Sequence, residues 1–577
     1  MNKSYQFLII MLAIITASTG QAQEILVPKG LTAHEESIIS NFQFRSFSAS
    51  EVPALPVRTS AEWEEVEYLV LGVPTVMTTV QLQIVQAVID ECKIIIATPN
   101  PQSVENYLIA NGVDMTDIIF IEEPVNSIWI RDYAAHTVYT NEVEDLALVD
   151  WIYNRPRPDD DVLPFAHAEY LGLPIYSTNS GTTDLVSVGG NFMTDGLGNA
   201  FASKLVLMEN QAGNFFNVTP KTEAQIDNIM QDYMGIDNFI KMDVLPYDGI
   251  HHIDMHMKLL DEETILVSQF PEGVADGPQI AENIEYITSN FLTPFGNTYD
   301  IQWVDAPPSI IGEYPDMGAY YRTYTNSIFV NKTVLVPIYR PEYDQAALAL
   351  YQELLPGYNI VGINVESMIS GGGAIHCITH TIGVEDPLWI VHEKVREANT
   401  YTDIPIEAMI KHNSGISQAK VFWRETGTES FEESTMSYIS DDNWLANIDI
   451  PTDTETVEYY IWAEAESGKT LTRPLVAPDG YWTFTISNVS SQQWAEKNIT
   501  GPYPNPAKEQ IHFNIQNISE EITISIHSML GQKLYENTLP ISDGKISLNL
   551  NPKWHGTLIV TFSGSFGNVH KKVIKLQ

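Results

Sequence analysis

Between about Glu67 and Val391 short apolar runs alternate with longer stretches whose apolar positions recur at helical spacing. The runs EYLVLGV, KIIIATP, DIIFIEE, ETILVSQF, SIFVNKTVLVP and YNIVGINV read as strands, and TTVQLQIVQAVIDEC, TEAQIDNIMQDYMG and PEYDQAALALYQELL as helices. This alternation predicts an α/β domain. From about Tyr401 the helices stop. IEAMIKHN, KVFWRET, MSYIS, WLANIDI, VEYYIWAEAE and WTFTISN are short strands separated by polar turns, the pattern of an immunoglobulin-like sandwich. The tail, Gly501 to Gln577, reads as a further small all-β domain.

Within the α/β part, polar or glycine-rich stretches recur beside strands: WIRDY at Asp132, GGN at Asn191, HHID at Asp254, YTN at Asn326 and HC at Cys377. The intervals are 59, 63, 72 and 51 residues. A period of this kind, carrying strand and helix material, predicts a ring of ββαβ modules that each deliver one loop to a common axis.

Composition narrows the setting. Met1 to Ala22 has a basic start at Lys3, an apolar run from Phe7 to Ile15 and a small-x-small end, which predicts an export signal occupying residues 1–22. No later stretch is apolar for the roughly 18 residues a membrane helix needs, so no transmembrane segment is expected in the mature chain. With 74 acidic and 30 basic residues the net charge is −44, which argues against nucleic acid as a partner and suits a cationic substrate. The two cysteines, Cys92 and Cys377, could pair in an exported protein. Cys92 precedes an apolar strand, as buried free cysteines do, whereas Cys377 lies in the glycine loop GGGAIHCITH, where reactive groups are commonly displayed.

In an extended stretch His252 and Asp254 would share one face, and His256 with them. Each feature has a plain structural reading: His252 as a hydrogen-bonded strand end, Arg131-Asp132 as an ion pair, Trp129 as core, and Arg155 and Arg157 as surface partners of Asp159 to Asp161. One chemistry unites carboxylates, a thiol and a histidine. A guanidinium offers fixed N–H donors that two converging carboxylates can grip, and its central carbon is the electrophile for a thiolate. A second chemistry, a transition metal held by His252, Asp254, His256 and Cys377 in a hydrolase, uses the same residues.

WIRD, GGN, HID, TN and GGAIHC, in this order, resemble the guanidine-modifying superfamily, and VDWIYNRPRPDD with GGNFMTDG is similar to the secreted bacterial peptidylarginine deiminase and agmatine deiminase family. PYPNPA, the GQ turn and the terminal KKVIKL resemble the C-terminal sorting domain of type IX secretion cargo. The resemblance implies an α/β fold built as a five-module pseudo-symmetric ββαβ propeller over residues 23–395, an immunoglobulin-like sandwich over 396–490 and a sorting domain over 500–577. It implies Cys377 as nucleophile, His252 as general acid and base, and Asp132 and Asp254 as guanidinium holders. Trp129 and Asn326 would shape the pocket, and Arg155 and Arg157 would meet the carboxylate of a C-terminal arginine. The implied reaction converts peptidyl or C-terminal arginine to citrulline and ammonia through a covalent thiouronium, with no metal or organic cofactor. The implied partners are an arginine-containing peptide or small guanidino compound and the type IX machinery, with the protein secreted or on the outer surface after passing the periplasm. A secreted agmatine deiminase and a non-catalytic exported binding protein are the alternatives.

Overall fold

The computed structural model describes residues 27–44, 51–451, 454–486, 495, 498–516, 518, 521–529, 531–540 and 544–576. The expected export signal lies outside them. The chain divides into two compact units. The first runs to Val391 and takes in Met409–Gln418 and Trp462–Tyr481; the second comprises His392–Ala408, Ala419–Ile461 and Trp482–Gln577.

The first unit is mixed α/β, and its strands form five small sheets of one pattern: an antiparallel pair, then a strand parallel to the second member. His136–Thr140 and Leu146–Asp150 are followed by Ile175–Ser177, and Met193–Thr194 and Asn199–Ser203 by Asn238–Met242. Met257–Leu259 and Thr264–Gln269 are followed by Asp300–Asp305, and Ile328–Val330 and Thr333–Ile338 by Asn359–Asn364. In the remaining sheet His380–Gly383 lies antiparallel to Val66–Gly72, with Lys93–Ala97 parallel beyond it. The sequence ends of the α/β region thus complete a single sheet.

Helices make the parallel crossovers, and their ends are set by local chemistry. Thr78 and Gln81 form a capping box ahead of Thr79–Val88, which buries Val80, Leu82, Ile84, Val85 and Val88. The helix stops at Val88, where the Glu91 and Cys92 amides turn back onto the Val88 carbonyl, so it does not run on to Cys92 as the sequence pattern suggested. Thr222 and Gln225 cap Glu223–Met234 in the same way. That helix ends at Gly235, whose φ of 68° is left-handed and whose added Cβ would fall 1.9 Å from the Val57 carbonyl oxygen. Only glycine satisfies both demands. The central strands, such as Lys93–Ala97, are covered on both faces and bury Ile94, Ile95 and Ile96 completely.

Four of the five recurrent polar stretches are single helical turns: Ile130–Tyr133, Gly189–Asn191, Ile253–Met255 and His376–Ile378. Each ends one or two residues before the first strand of an antiparallel pair. The fifth, at Asn326, is a loop leading into Ile328–Val330. This corrects the extended reading of His252-Ile253-Asp254. The His256 amide closes a tight turn on the Ile253 carbonyl at 3.0 Å, so alternation along a strand does not set where these side chains point.

The second unit is all β. Within it Ser437–Ser440 pairs antiparallel with residues 443–445, residues 420–423 with Glu432–Thr435, and residues 456–459 with 482–485. The tail forms a three-stranded and a four-stranded sheet around Ile511, Phe513, Ile524, Val560 and Phe562.

Candidate active site

The helical turns bring Asp132, His252, Asp254 and Cys377 together in the interior of the first unit, where all four are buried. Cys377 sits on the turn His376–Ile378, and both cysteines of the chain are free. An added Cβ at Gly373 would stand 2.9 Å from the Cys377 sulfur and 2.8 Å from Trp129 Cζ3, so the glycine loop permits the close fold of backbone over the thiol. Asn326 donates from Nδ2 to the sulfur at 3.2 Å, and its Oδ1 accepts from the His376 amide at 3.0 Å. The sulfur lies 3.4 Å from Asp254 Oδ2.

A cation occupies the centre of this group. The ammonium of Lys29, wholly buried, donates to Cys377 Sγ at 2.9 Å. Asp132 Oδ1 and Asp254 Oδ1 flank it at 3.7 and 3.8 Å. Asp132 Oδ1 also lies 3.4 Å from His252 Nδ1. Gly190 of the GGN stretch backs this corner: a Cβ there would fall 2.6 Å from His252 Nδ1 and 2.7 Å from Asp132 Oδ1.

Behind the sulfur runs a chain of ionisable groups. His376 reaches Asp254 Oδ2 through Nδ1 at 2.9 Å and Glu62 Oε2 through Nε2 at 2.8 Å. Glu62 also pairs with Lys258 and lies 3.9 Å from Arg131 Nη2.

These contacts set the charge states. Burial alone would favour neutral carboxyls, but Lys29 with neighbouring histidines holds Asp132 and Asp254 below the usual carboxylate range. Burial opposes the Lys29 ammonium, yet Asp132, Asp254 and Cys377 together raise its pKa. Burial, with Asp254 adding to it, pushes the Cys377 thiol up to about 12, while Lys29 pulls the other way. His252 is shifted down, first by burial and then by the Lys29 charge, against the pull of Asp132. Burial pushes His256 down to about 4.

Trp129, Arg155 and Arg157 lie around the N-terminal segment that carries Lys29. Trp129 Nε1 donates to the Val27 carbonyl at 2.8 Å, and Arg155 Nε to the Lys29 carbonyl at 3.0 Å. Arg157 Nη2 donates to the Pro28 and Gly30 carbonyls at 2.7 and 2.9 Å, and its Nε to Glu35 at 2.8 Å. Arg157 is thus buried against this segment, and its acid partner is Glu35. Sequence reasoning missed Lys29, Glu62, His376 and Gly190. The last two stand inside motifs already singled out, while Lys29 and Glu62 carry no periodic signal.

Comparison with known proteins places the chain among deiminases. The family model for the Porphyromonas-type peptidyl-arginine deiminase matches residues 58–382, and that for the secretion system C-terminal sorting domain matches residues 502–576. A Legionella pneumophila protein provisionally designated an agmatine deiminase is 26% identical over 279 residues, covering 46% of this chain and 74% of its own. A crystal structure with the same provisional designation is similar in fold at 20% identity, covering 59% of this chain and all of the other, with a TM-score of 0.50. The agmatine deiminase of Enterococcus faecalis is 19% identical, covering 58% of this chain and 99% of the other, with a TM-score of 0.48. Among the described residues no helix is long and apolar enough to cross a membrane. The sorting domain, of the type IX system, indicates a secreted or outer-surface protein. Matched over more than half of its length, the chain belongs to the Porphyromonas-type peptidyl-arginine deiminase family, hydrolases that cleave C–N bonds of guanidino groups.

Proposed function

We propose that the protein hydrolyses the guanidinium of peptidyl or C-terminal arginine to citrulline and ammonia through a thiouronium on Cys377. One observation carries this reading. A cation stands 2.9 Å from the Cys377 sulfur with Asp132 and Asp254 oxygens 3.7 and 3.8 Å from it, the layout needed to present a planar cation to a nucleophile.

In the proposed sequence His252, neutral at the outset, takes the proton of the Cys377 thiol as sulfur bonds to the guanidinium carbon. It returns that proton to one nitrogen, the C–N bond breaks, and ammonia leaves. Water, deprotonated by the same histidine, adds to the thiouronium carbon; the C–S bond breaks and the ureido product remains. Asp132 and Asp254 hold the cationic substrate and lose their grip on the neutral product. Asn326 steadies the sulfur, and Trp129 walls the pocket.

The repeated pattern of the five sheets supports a pseudo-symmetric five-module ββαβ propeller as the scaffold. Residues 23–395 would be the catalytic domain, 396–490 the immunoglobulin-like domain and 500–577 the sorting domain. The names carried by several relatives favour a second reading, deimination of agmatine. Against it, Arg155 and Arg157 donate to main-chain carbonyls beside the site, groups that agmatine does not carry.

The test is release of ammonia and a ureido product from agmatine, free arginine, and peptides with internal or C-terminal arginine. The full-length protein and its Lys29→Ala variant are assayed beside Cys377→Ala. Product from at least one substrate, absent in Cys377→Ala, is expected; silence from both thiol-bearing forms with every substrate overturns the proposal.

A further inference from the structure

We infer that residues 27–30 are an intramolecular mimic of the substrate, and that the site therefore takes an extended peptide carrying an internal arginine. The inference rests on the deiminase reading for its chemistry, and its main support is the register of side chain and main chain at Lys29.

Lysine Nζ and arginine Cζ are each the fifth side-chain atom outward from Cα. The position of Nζ, 2.9 Å from Cys377 Sγ, therefore marks where an arginine at this point of the segment would bring its electrophilic carbon, close to the roughly 3–3.5 Å of a near-attack contact. The carboxylates agree with a larger cation than the one present. At 3.7 and 3.8 Å they stand beyond hydrogen-bond reach of the ammonium; among the described residues Asp254 Oδ1 has no hydrogen-bond partner, and Asp132 Oδ1 has only His252 Nδ1 near it, at a long 3.4 Å. A guanidinium carries its nitrogens one bond beyond the carbon, which brings them within reach of both oxygens.

The main chain is read on both sides of this residue. Before it, Trp129 Nε1 takes the Val27 carbonyl and Arg157 Nη2 the Pro28 carbonyl. At it, the Lys29 amide donates to the Gly371 carbonyl at 2.7 Å and its carbonyl accepts from Arg155. After it, Arg157 Nη2 takes the Gly30 carbonyl. A small guanidino compound lacks the groups these donors meet, and a C-terminal arginine lacks the last of them. Lysine has no carbon between nitrogens for sulfur to attack, so it can fill the site and cannot be turned over.

The segment is anchored well beyond Lys29. Thr32 and Glu35 form a capping box on Ala33–Ile38, and Glu35 pairs with Arg157. Leu31, Ile39 and Phe44 pack with Ile152, Val186, Phe216 and Val218. With these contacts in place Cys377 is fully buried, so the segment also holds the site closed to other peptides.

Two measurements on the full-length chain decide the matter. In Lys29→Arg the introduced guanidinium should react with water to a ureido group, releasing ammonium, as read by mass spectrometry of the peptide spanning position 29. The double variant Lys29→Arg, Cys377→Ala should remain unmodified. In the wild-type chain the Lys29 amide should exchange its hydrogen at least about tenfold more slowly than an unprotected one. Failure of Lys29→Arg to modify itself while turning over agmatine or free arginine overturns the inference and leaves the deiminase reading intact. Failure of Lys29→Arg to modify itself, together with silence of Lys29→Ala toward every added guanidino compound, overturns both. Exchange at Lys29 as fast as in a free peptide overturns the occupancy.

Discussion

Asp254 and His376 meet at 2.9 Å through Oδ2 and Nδ1, which leaves the other carboxylate oxygen of Asp254 facing the cation beside Cys377. The residue preceding the proposed nucleophile thus aims the carboxylate proposed to hold the substrate. Glu62, on the far nitrogen of the imidazole at 2.8 Å, fixes the ring in turn.

His376→Ala should free the Asp254 side chain to rotate, and a misplacement of this kind costs on the order of 10²-fold in kcat/KM. His376→Asn keeps a donor near the Nδ1 position and should recover a good part of that loss. Steady-state kinetics of the two variants in a Lys29→Ala background check this. Equal losses in both would mean that His376 only fills space.

The Lys29 cluster makes a signed prediction about pH. Asp132 and Asp254 titrate below their ordinary range, so the stability they confer is present above about pH 4 and lost as pH falls through their lowered values. Lys29 is raised, so its share is complete below the ordinary lysine value of about 10.4 and lost only as pH rises through the raised one. The melting temperature of the wild-type chain should therefore owe no slope to these three groups between about pH 5 and 10; His252, shifted down, removes stability as pH falls below the ordinary histidine value, and Cys377, pushed up, removes it as pH rises above the ordinary cysteine value. In Lys29→Met two buried carboxylates lose the cation between them and keep only the more distant Arg131, which raises their pKa values. Their protonation then favours the folded state, so this variant should grow more stable from pH 7 to pH 5 relative to wild type. Calorimetric scans across this range check it; parallel curves would mean that Lys29 does not couple to the two aspartates.

Much of the site is legible in the sequence because it sits in short motifs at a regular interval. Asp132, His252, Asp254, Asn326 and Cys377 each precede the first strand of an antiparallel pair, and that spacing survives in the chain as a period. Lys29 and Glu62 precede the periodic region, and their approach to Cys377 and His376 exists only once the sheets are assembled. The polar stretches were harder to read locally. A 3-10 turn of three residues, such as Ile253–Met255, has too few positions to show a period, so HHID looks extended. Helix Gly277–Asn290 escaped for a related reason: Asn283 interrupts the buried stripe of Ile280, Ile284 and Ile287. Its polarity is satisfied by the Asp243 carbonyl at 2.8 Å, a contact made across about forty residues of chain.

Two glycines should behave as part of the site although they carry no side chain. A methyl at Gly190 would stand 2.6 Å from His252 Nδ1, 2.7 Å from Asp132 Oδ1 and 3.2 Å from Lys29 Nζ. One at Gly373 would press on the Cys377 sulfur at 2.9 Å. Gly190→Ala and Gly373→Ala should each destabilise the fold by about 1–3 kcal/mol, the usual range for overpacking. Their turnover should fall much further, by about 10²-fold, because the displaced atoms are those proposed to react. Urea denaturation paired with kinetics separates the two effects, and a loss of activity no larger than the loss of folded protein would count against it.

Arg157 ties the site to the N-terminal segment. One guanidinium nitrogen serves the carbonyls of Pro28 and Gly30 while Nε serves Glu35, all within a buried environment. A lysine has a single nitrogen and cannot make this fork, so Arg157→Lys should leave Glu35 or the carbonyls unsatisfied and loosen residues 27–44. The site pairs should survive this change, because Lys29 would still find Asp132, Asp254 and the sulfur when the segment docks. Limited proteolysis should therefore clip the segment faster in Arg157→Lys than in wild type, while the melting temperature of the remaining α/β domain changes little. Arg155, which makes a single contact to the Lys29 carbonyl at 3.0 Å, should give a smaller effect when changed to lysine. The order Arg157→Lys, then Arg155→Lys, then wild type in cleavage rate is the expected result; the reverse order would place the anchoring elsewhere in the segment, on the packing of Ile39 and Phe44 against Phe216.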